Sequence, residues 1–238
     1  MGTRKTVVIG ASGGIGSAFV ELRLREGHQV FACSRTEPKS LPAGVPLVFI
    51  DIEDERSIAE AALEVGEGVN EVFVASGLLH EDARSVKPEK ALRQLRFDAL
   101  ATTLAVNSIG PILVAKHFVP LIDKTARGVF AALSARVGSI EDNRLGGWYG
   151  YRASKAALNQ LIKTASIELA RTHPQLVCVG LHPGTVATEL SAPFQRGVPE
   201  GKLFTAAHSA RCLATVIDGL TPSDSGGTFD WAGMRIPA

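Results

Sequence analysis

Residues 151–155 read YRASK and set a phenol and an ammonium four positions apart in a stretch of helical periodicity. Four residues make about one helical turn, so Tyr151 and Lys155 are neighbours on one face. A free tyrosine has a pKa near 10, and only about one in a thousand is ionised at neutral pH. A nearby ammonium favours the phenolate and tunes the group toward neutrality, where a general acid–base is most useful. The same spacing also suits a solvated helix face.

A second pattern sits near the start of the chain. GASGGIG, residues 10–16, follows the β-branched run TVVIG and leads into a helical stretch with apolar Ile15, Ala18, Phe19 and Leu22. A glycine turn at the end of a parallel strand lets a phosphate approach the backbone, and the next helix presents its unpaired N–H groups and positive dipole end to it. The spacing is G-x-x-x-G-x-G rather than G-x-G-x-x-G, and no Gly-Lys-Ser/Thr follows, so it is not a P-loop.

Strand-like runs at 6–10, 28–34, 46–52, 71–76, 128–134, 175–181 and 226–231 must position these groups. Helical stretches alternate with them at 15–25, 55–65, about 88–121, from about 148 onward, and 205–219. The long one is interrupted near Asn107–Pro111. Such alternation predicts an α/β fold of the Rossmann type: a doubly wound parallel sheet of about seven strands, helices on both faces, a single domain over 1–238. The only long irregular stretch, about 189–204, is expected to be the substrate loop.

The formal net charge of +1 gives no electrostatic reason to expect nucleic acid or an anionic membrane as partner. No apolar run approaches the roughly 18 residues that span a bilayer. MGTRKTVVIGASGG leaves no room for a signal peptide, and a cytoplasmic location is expected. Met1-Gly2 with Thr6 formally matches a myristoylation pattern, although Thr6 is expected to open the first strand instead. Cys33 and Cys178 lie in apolar runs, where a reduced cysteine behaves as a small hydrophobe. None of the six histidines has metal-ligand spacing; His80-Glu81 lacks the second histidine of H-E-x-x-H, and no metal is expected.

GASGGIG after the first strand, Asp51 after the third, Asn107, YRASK, and HPGTVAT after a later strand occur in one order. That order resembles the short-chain dehydrogenase/reductase family over essentially the whole chain. SARVGSIEDNRLGGWYGYRASKAALN is similar to its C-factor-like, carbonyl-reductase-like subgroup. The resemblance implies an NADP-dependent oxidoreductase moving hydride between nicotinamide and a small carbonyl or alcohol substrate. Tyr151 would give its proton to the carbonyl oxygen; Lys155 would lower the phenol's pKa and bond the nicotinamide ribose; Asn107 would hold a water that relays protons to the lysine. The implied cofactor positions are Gly10, Ser12, Gly14, Ile15, Gly16, Ser34, Arg35, Asp51, Ile52, Gly77, Tyr151, Lys155, Pro183, Gly184, Val186 and Thr188. His182 is expected to be structural. A homodimer or homotetramer through the helices around 88–122 and 148–171 is implied by analogy only.

Ser34-Arg35 ends the second strand where a 2′-phosphate would sit, and no Asp stands there to bind a free ribose, so NADP is expected over NAD. Glu37 lies past the tip, precedes Pro38 and is expected to be solvated. Two positions depart from the family. Ala75-Ser76-Gly77 replaces Asn-Ala-Gly, from which a local repacking is expected. The catalytic serine's usual slot holds Ala135, leaving Ser134, favoured, and Ser139 as candidates for the hydroxyl. Ala135 also keeps open a second class of function: a dinucleotide-binding sensor or signalling protein with little turnover.

Overall fold

Short β-branched runs pair in parallel because their side chains are apolar on both faces and need cover from helices on each side. A computed structural model describes residues 3–238 of the chain. Met1-Gly2, and with them the myristoylation match, lie outside the described residues. The strands are β1 (Lys5–Ile9), β2 (Gln29–Ser34), β3 (Leu47–Phe49), β4 (Glu71–Val74), β5 (Gly128–Leu133), β6 (Leu176–His182), β7 (Thr185–Val186), β8 (Leu203–Phe204) and β9 (Thr228–Asp230). Seven form one all-parallel sheet in the order β3-β2-β1-β4-β5-β6-β9, and β7 and β8 pair separately. The order reverses between β1 and β4. The loops leaving those two strands therefore diverge and open a crevice at the carboxyl ends.

One face of the sheet is covered by α1 (Gly14–Arg25) and α6 (Ala206–Gly219), whose Phe19, Val20, Leu213 and Ile217 pack on Val8, Phe73, Val129 and Val179. The other is covered by α2 (Glu55–Val65), α4 (Gly110–Phe118) and α5 (Tyr149–Leu169), with α3 (Phe97–Leu104) packed on α5. There Ile58, Val114, Phe118, Leu158 and Ile162 meet Val7, Val72, Phe130 and Cys178. Asp54 starts α2 by accepting from the Arg56 N–H at 2.9 Å, an N-cap that satisfies one of the helix's free donors.

Four expectations need correction. The long helix begins at Phe97, not near Pro88; residues 88–96 hold only one 3₁₀ turn, Leu92–Gln94. The reason is tertiary: the Glu89 carbonyl accepts from Trp148 N–H and is unavailable to a helix of its own. The interruption near Asn107 is a change of helix type rather than a break: a π-helical turn, Ala105–Ile109, joins α3 to α4. The resulting 25-residue helix, Phe97–Leu121, is apolar enough to cross a membrane by length and composition, unlike the sequence expectation, but its inward face, with Val114 and Phe118, packs in the core. The 189–204 loop is not wholly irregular: a 3₁₀ turn, Ala192–Gly197, and β8 lie within it.

Candidate active site

A cleft of about 1090 Å³ runs along the carboxyl ends of the strands, from the loop after β2 to the start of α5. At one end stands α5. Tyr151 and Lys155 both line the cleft, one helical turn apart, with the Lys155 ammonium 5.8 Å from the Tyr151 ring centroid. Lys155 is buried, and its Nζ donates to the Leu133 carbonyl at 2.7 Å, at the end of β5. Gly138 passes so close that a Cβ there would stand 2.8 Å from Lys155 Cβ. Lys155 thus has little freedom.

The pKa values run opposite to the sequence expectation for the phenol. Burial pushes Tyr151 up to about 12 and Lys155 down to about 7. Each group loses water that favoured its charged form, and the ammonium spends its hydrogen bond on Leu133 rather than on the phenol. At neutral pH the Tyr151 phenol is therefore protonated.

Asn107 is buried in its π-helical turn. Its side chain clamps Leu78, accepting from the backbone N–H and donating to the carbonyl, each at 2.7 Å, and also donates to Ser154 Oγ at 3.0 Å. Ser154 lies between Tyr151 and Lys155, so Asn107 ties the loop after β4 to the face of α5 that carries them. A Cβ on Gly77 would lie 3.6 Å from Asn107 Oδ1 and 3.8 Å from Lys155 Nζ, which brings all three together. The Ala75-Ser76-Gly77 departure is also accommodated locally. Ser76 packs on Gly10, where a Cβ would come within 2.8 Å of its backbone nitrogen.

Neither candidate serine is free. Ser134 lines the cleft, but the β5–β6 ladder continues through it (Ser134 N–H to Leu181 carbonyl, 2.8 Å) without the one-residue turn that would carry it forward. Its Oγ donates to Asn159 Oδ1 at 2.6 Å. Ser139 is buried away from the cleft, donating to the Ala238 carbonyl at 3.1 Å and accepting from Asp142 N–H. Ala135, the residue after Ser134, is a buried methyl.

The other end of the cleft is built from glycine. Gly10 has φ 84°, which favours glycine, and a Cβ on Gly16 would sit 2.2 Å from the Gly10 carbonyl oxygen. Gly14 faces the Thr188 methyl, where a Cβ would meet it at 2.9 Å. No side chain caps the first turn of α1, leaving its N–H end open to an anion. Ser12, Ile15, Ser34, Arg35, Asp51, Ile52, Pro183 and Thr188 line the same cleft. Gly184 and Val186 do not; Gly184, at φ 78°, packs on Phe204, and Val186 is buried behind the loop in β7. Glu37 is exposed, as expected. Arg35 stands 3.7 Å from both Asp51 and Glu53.

Several residues were not read from the sequence. Lys39 and Ser40 line the cleft beside Arg35, and Lys39 reaches across its mouth to Glu189 at 2.7 Å. A second basic residue in the loop after β2 was the available signal. Glu89 is buried and its carboxylate accepts from Gly150 N–H at 3.1 Å, capping α5 from 61 residues away. The Trp148 ring stands edge-on to Tyr151 at 6.2 Å and is tilted against Phe194 at 5.1 Å. No local pattern announces either contact.

Residues 4–198 match the family described as short chain dehydrogenase. The chain is 37% identical over 148 residues to the C-signal protein of Myxococcus xanthus, covering 62% of this chain and 83% of that one. It is 30% identical over 253 residues to an uncharacterised oxidoreductase of Schizosaccharomyces pombe, covering 97% and 96%. Among solved structures, an NADPH-bound carbonyl reductase from chicken fatty liver superposes with a TM-score of 0.84 at 27% identity, covering both chains fully.

Proposed function

Since this chain belongs to the short-chain dehydrogenase family, whose members are NAD(P)-dependent oxidoreductases, we propose that it is an NADP-dependent carbonyl reductase with Tyr151 as proton donor. The observation that carries this reading is the half-buried phenol, protonated at neutral pH and lining the cleft one turn from the buried Lys155. The NADPH-bound carbonyl reductase of like fold supports it.

The residues present fit the dinucleotide. Gly10, Ser12, Gly14, Ile15 and Gly16, with the open end of α1, would hold the pyrophosphate. Arg35 and Lys39 would take the 2′-phosphate. Asp51, Ile52 and Gly77 would border the adenosine half, and Pro183 and Thr188, with Gly184 and Val186 shaping their loop, the nicotinamide half. When bound, NADPH supplies a hydride. The chain's own residues do the rest: Tyr151 would give its hydroxyl proton to the carbonyl oxygen, and Lys155, about half protonated at pH 7, would hold the nicotinamide ribose and supply positive charge beside the phenolate. Asn107 keeps the Leu78 loop and α5 in register.

Dissociation constants for NADPH and NADH test the cofactor. A charge-assisted contact from Arg35 contributes roughly 1.5–3 kcal/mol, about a ten- to hundredfold preference; tighter NADH binding would overturn it. Tyr151→Phe tests the acid. It should abolish turnover with NADPH binding intact, and retention of more than about a tenth of the activity removes Tyr151 from that role.

Ala135 and the engaged Ser134 favour a second reading, a dinucleotide sensor with little turnover. NADPH binding without reduction of any member of an aldehyde and ketone panel would select it. We also propose a homodimer or homotetramer through α3–α4 and α5, where Phe97, Ile109 and Ile167 are exposed, and a reduced, cytoplasmic setting for the buried Cys33 and Cys178.

A further inference from the structure

Arg35, Asp51, Glu53, Glu81 and Arg84 line the cleft where the adenosine half would lie. Arg35 stands 3.7 Å from Asp51 and Glu53, too far for a hydrogen bond to either. Glu53 is engaged elsewhere. Both its carboxylate oxygens accept from Arg84 Nη1, at 2.8 and 2.9 Å, and Arg84 Nε donates to Glu81. The Arg84 and Glu53 side chains are 34% and 25% exposed, so water and salt screen their attraction only in part.

The segment after β4 brings Arg84 to this place, 31 residues beyond Glu53. Glu81 and Val86 exchange two N–H···O bonds of 2.9 Å, which closes a turn over the residues between them. Ser85 in that turn has φ 54°, a backbone that residues other than glycine seldom adopt. The closed turn holds Arg84 between Glu53 and Glu81.

We propose that Arg84 is a positioning residue for the cofactor's 2′-phosphate: by holding the Glu53 carboxylate it leaves Arg35 free to take the phosphate, and so sets the preference for NADPH over NADH. This inference rests on the NADP reading. Arg35 and Arg84 meet three carboxylates here, and Lys39 is paired with Glu189. A phosphate monoester, with a charge of about −1.5 to −2, therefore enters a region that has no excess of positive charge. Asp51 and Glu53 compete with it for Arg35. Arg84 removes one of these competitors by pairing its charge. Without Arg84, Glu53 closes on Arg35 and turns an unpaired charge toward the phosphate, which repulsion then disfavours. NADH carries a hydroxyl at that position, so the same exchange costs it little.

The test is the pair of dissociation constants for NADPH and NADH, read from nicotinamide fluorescence without turnover. NADH binding serves as the control for folding. Arg84→Ala should weaken NADPH about tenfold and NADH less than about twofold. Arg84→Lys, which keeps the charge, should recover most of the loss. Glu53→Gln should tighten NADPH about threefold. In the Glu53→Gln background Arg84→Ala should then cost nothing, because Arg84 acts only through that carboxylate. A loss of NADPH affinity that persists in the double variant overturns the proposal, since Arg84 would then touch the phosphate itself. Equal weakening of both nucleotides by Arg84→Ala overturns it as well, in favour of a role in folding. A wild type that prefers NADPH, with a ratio Arg84→Ala does not move, removes the coupling and leaves the NADP reading. A wild type that prefers NADH, with the ratio still shifted through Glu53, removes the NADP reading and keeps the coupling. Binding of neither nucleotide overturns both.

Discussion

Burial sets the protonation of both groups at the centre of the site, and Lys155 carries a measurable consequence. Its folded pKa of about 7 lies below its ordinary 10.5. Between these values the unfolded chain binds a proton that the folded chain does not, so the contribution of Lys155 to stability rises with pH from about 7 to about 10 and is constant below. Urea midpoints of the protein without added cofactor should show this rise, and Lys155→Met should abolish it together with turnover. A wild-type midpoint that does not change over the window would show that the ammonium is solvated. The serine carries a second prediction. Loss of a donor to a developing oxyanion typically costs about 10²–10³ in rate. Since Ser134 Oγ is committed to Asn159, Ser134→Ala should cost well under that. Ala135→Ser, which restores a hydroxyl at the family's position, should raise kcat. A hundredfold loss in Ser134→Ala would return the role to that residue.

At the scale of elements, α5 depends on a cap that is not its own. The N-cap residue Trp148 offers no side-chain cap, and the Glu89 carboxylate supplies one at Gly150. A carboxylate there also complements the helix dipole. Gly150 suits the arrangement, since a Cβ there would stand 3.0 Å from Glu89 Oε1 and push on the carboxylate. Replacing an N-cap by Ala costs roughly 0.5–2 kcal/mol. Glu89→Ala should therefore lower the urea midpoint by that order. It should also reduce kcat more than it raises the KM for NADPH, because the first turn of α5 carries Tyr151 while the glycine loop is untouched. Glu89→Gln, which can still accept from Gly150 N–H, should recover most of both. Equal effects on kcat and on cofactor binding would mean a general loosening instead.

Across the whole molecule, stability and chemistry occupy opposite ends of the sheet. At the amino ends of the strands Arg23 is buried and grips Glu71 from Nε and Nη2 at 3.0 and 2.8 Å, with Asp218 accepting from Nη1 and Nη2 at 3.0 Å. Burial pushes the Glu71 carboxyl up while Arg23 pulls it back. Removing one partner of such a pair leaves a buried charge uncompensated and costs about 3–5 kcal/mol. Asp218 remains, so Glu71→Ala should fall at the lower end. Because the cleft lies at the carboxyl ends, the surviving folded fraction should keep its kcat. A Glu71→Ala variant with wild-type stability but impaired turnover would contradict this division.

The features legible in the sequence are those governed by short-range periodicity. The seven strands of the sheet, the helices between them, the glycine loop and the Tyr151–Lys155 face all follow from spacings of two to four residues. Their order along the chain also carried the family. What the side chains point at was decided by tertiary structure, because the partner lies far along the chain in each case. Lys155 turns to Leu133, Ser134 to Asn159, Asn107 to Leu78, and Glu89 leaves its own expected helix to cap α5. A buried donor or acceptor takes the nearest partner the packed fold offers, since leaving it unpaired costs more than local propensity returns. For the same reason the phenol's pKa could not be read from its distance to a lysine in sequence. It depends on how much water the folded cleft removes from both.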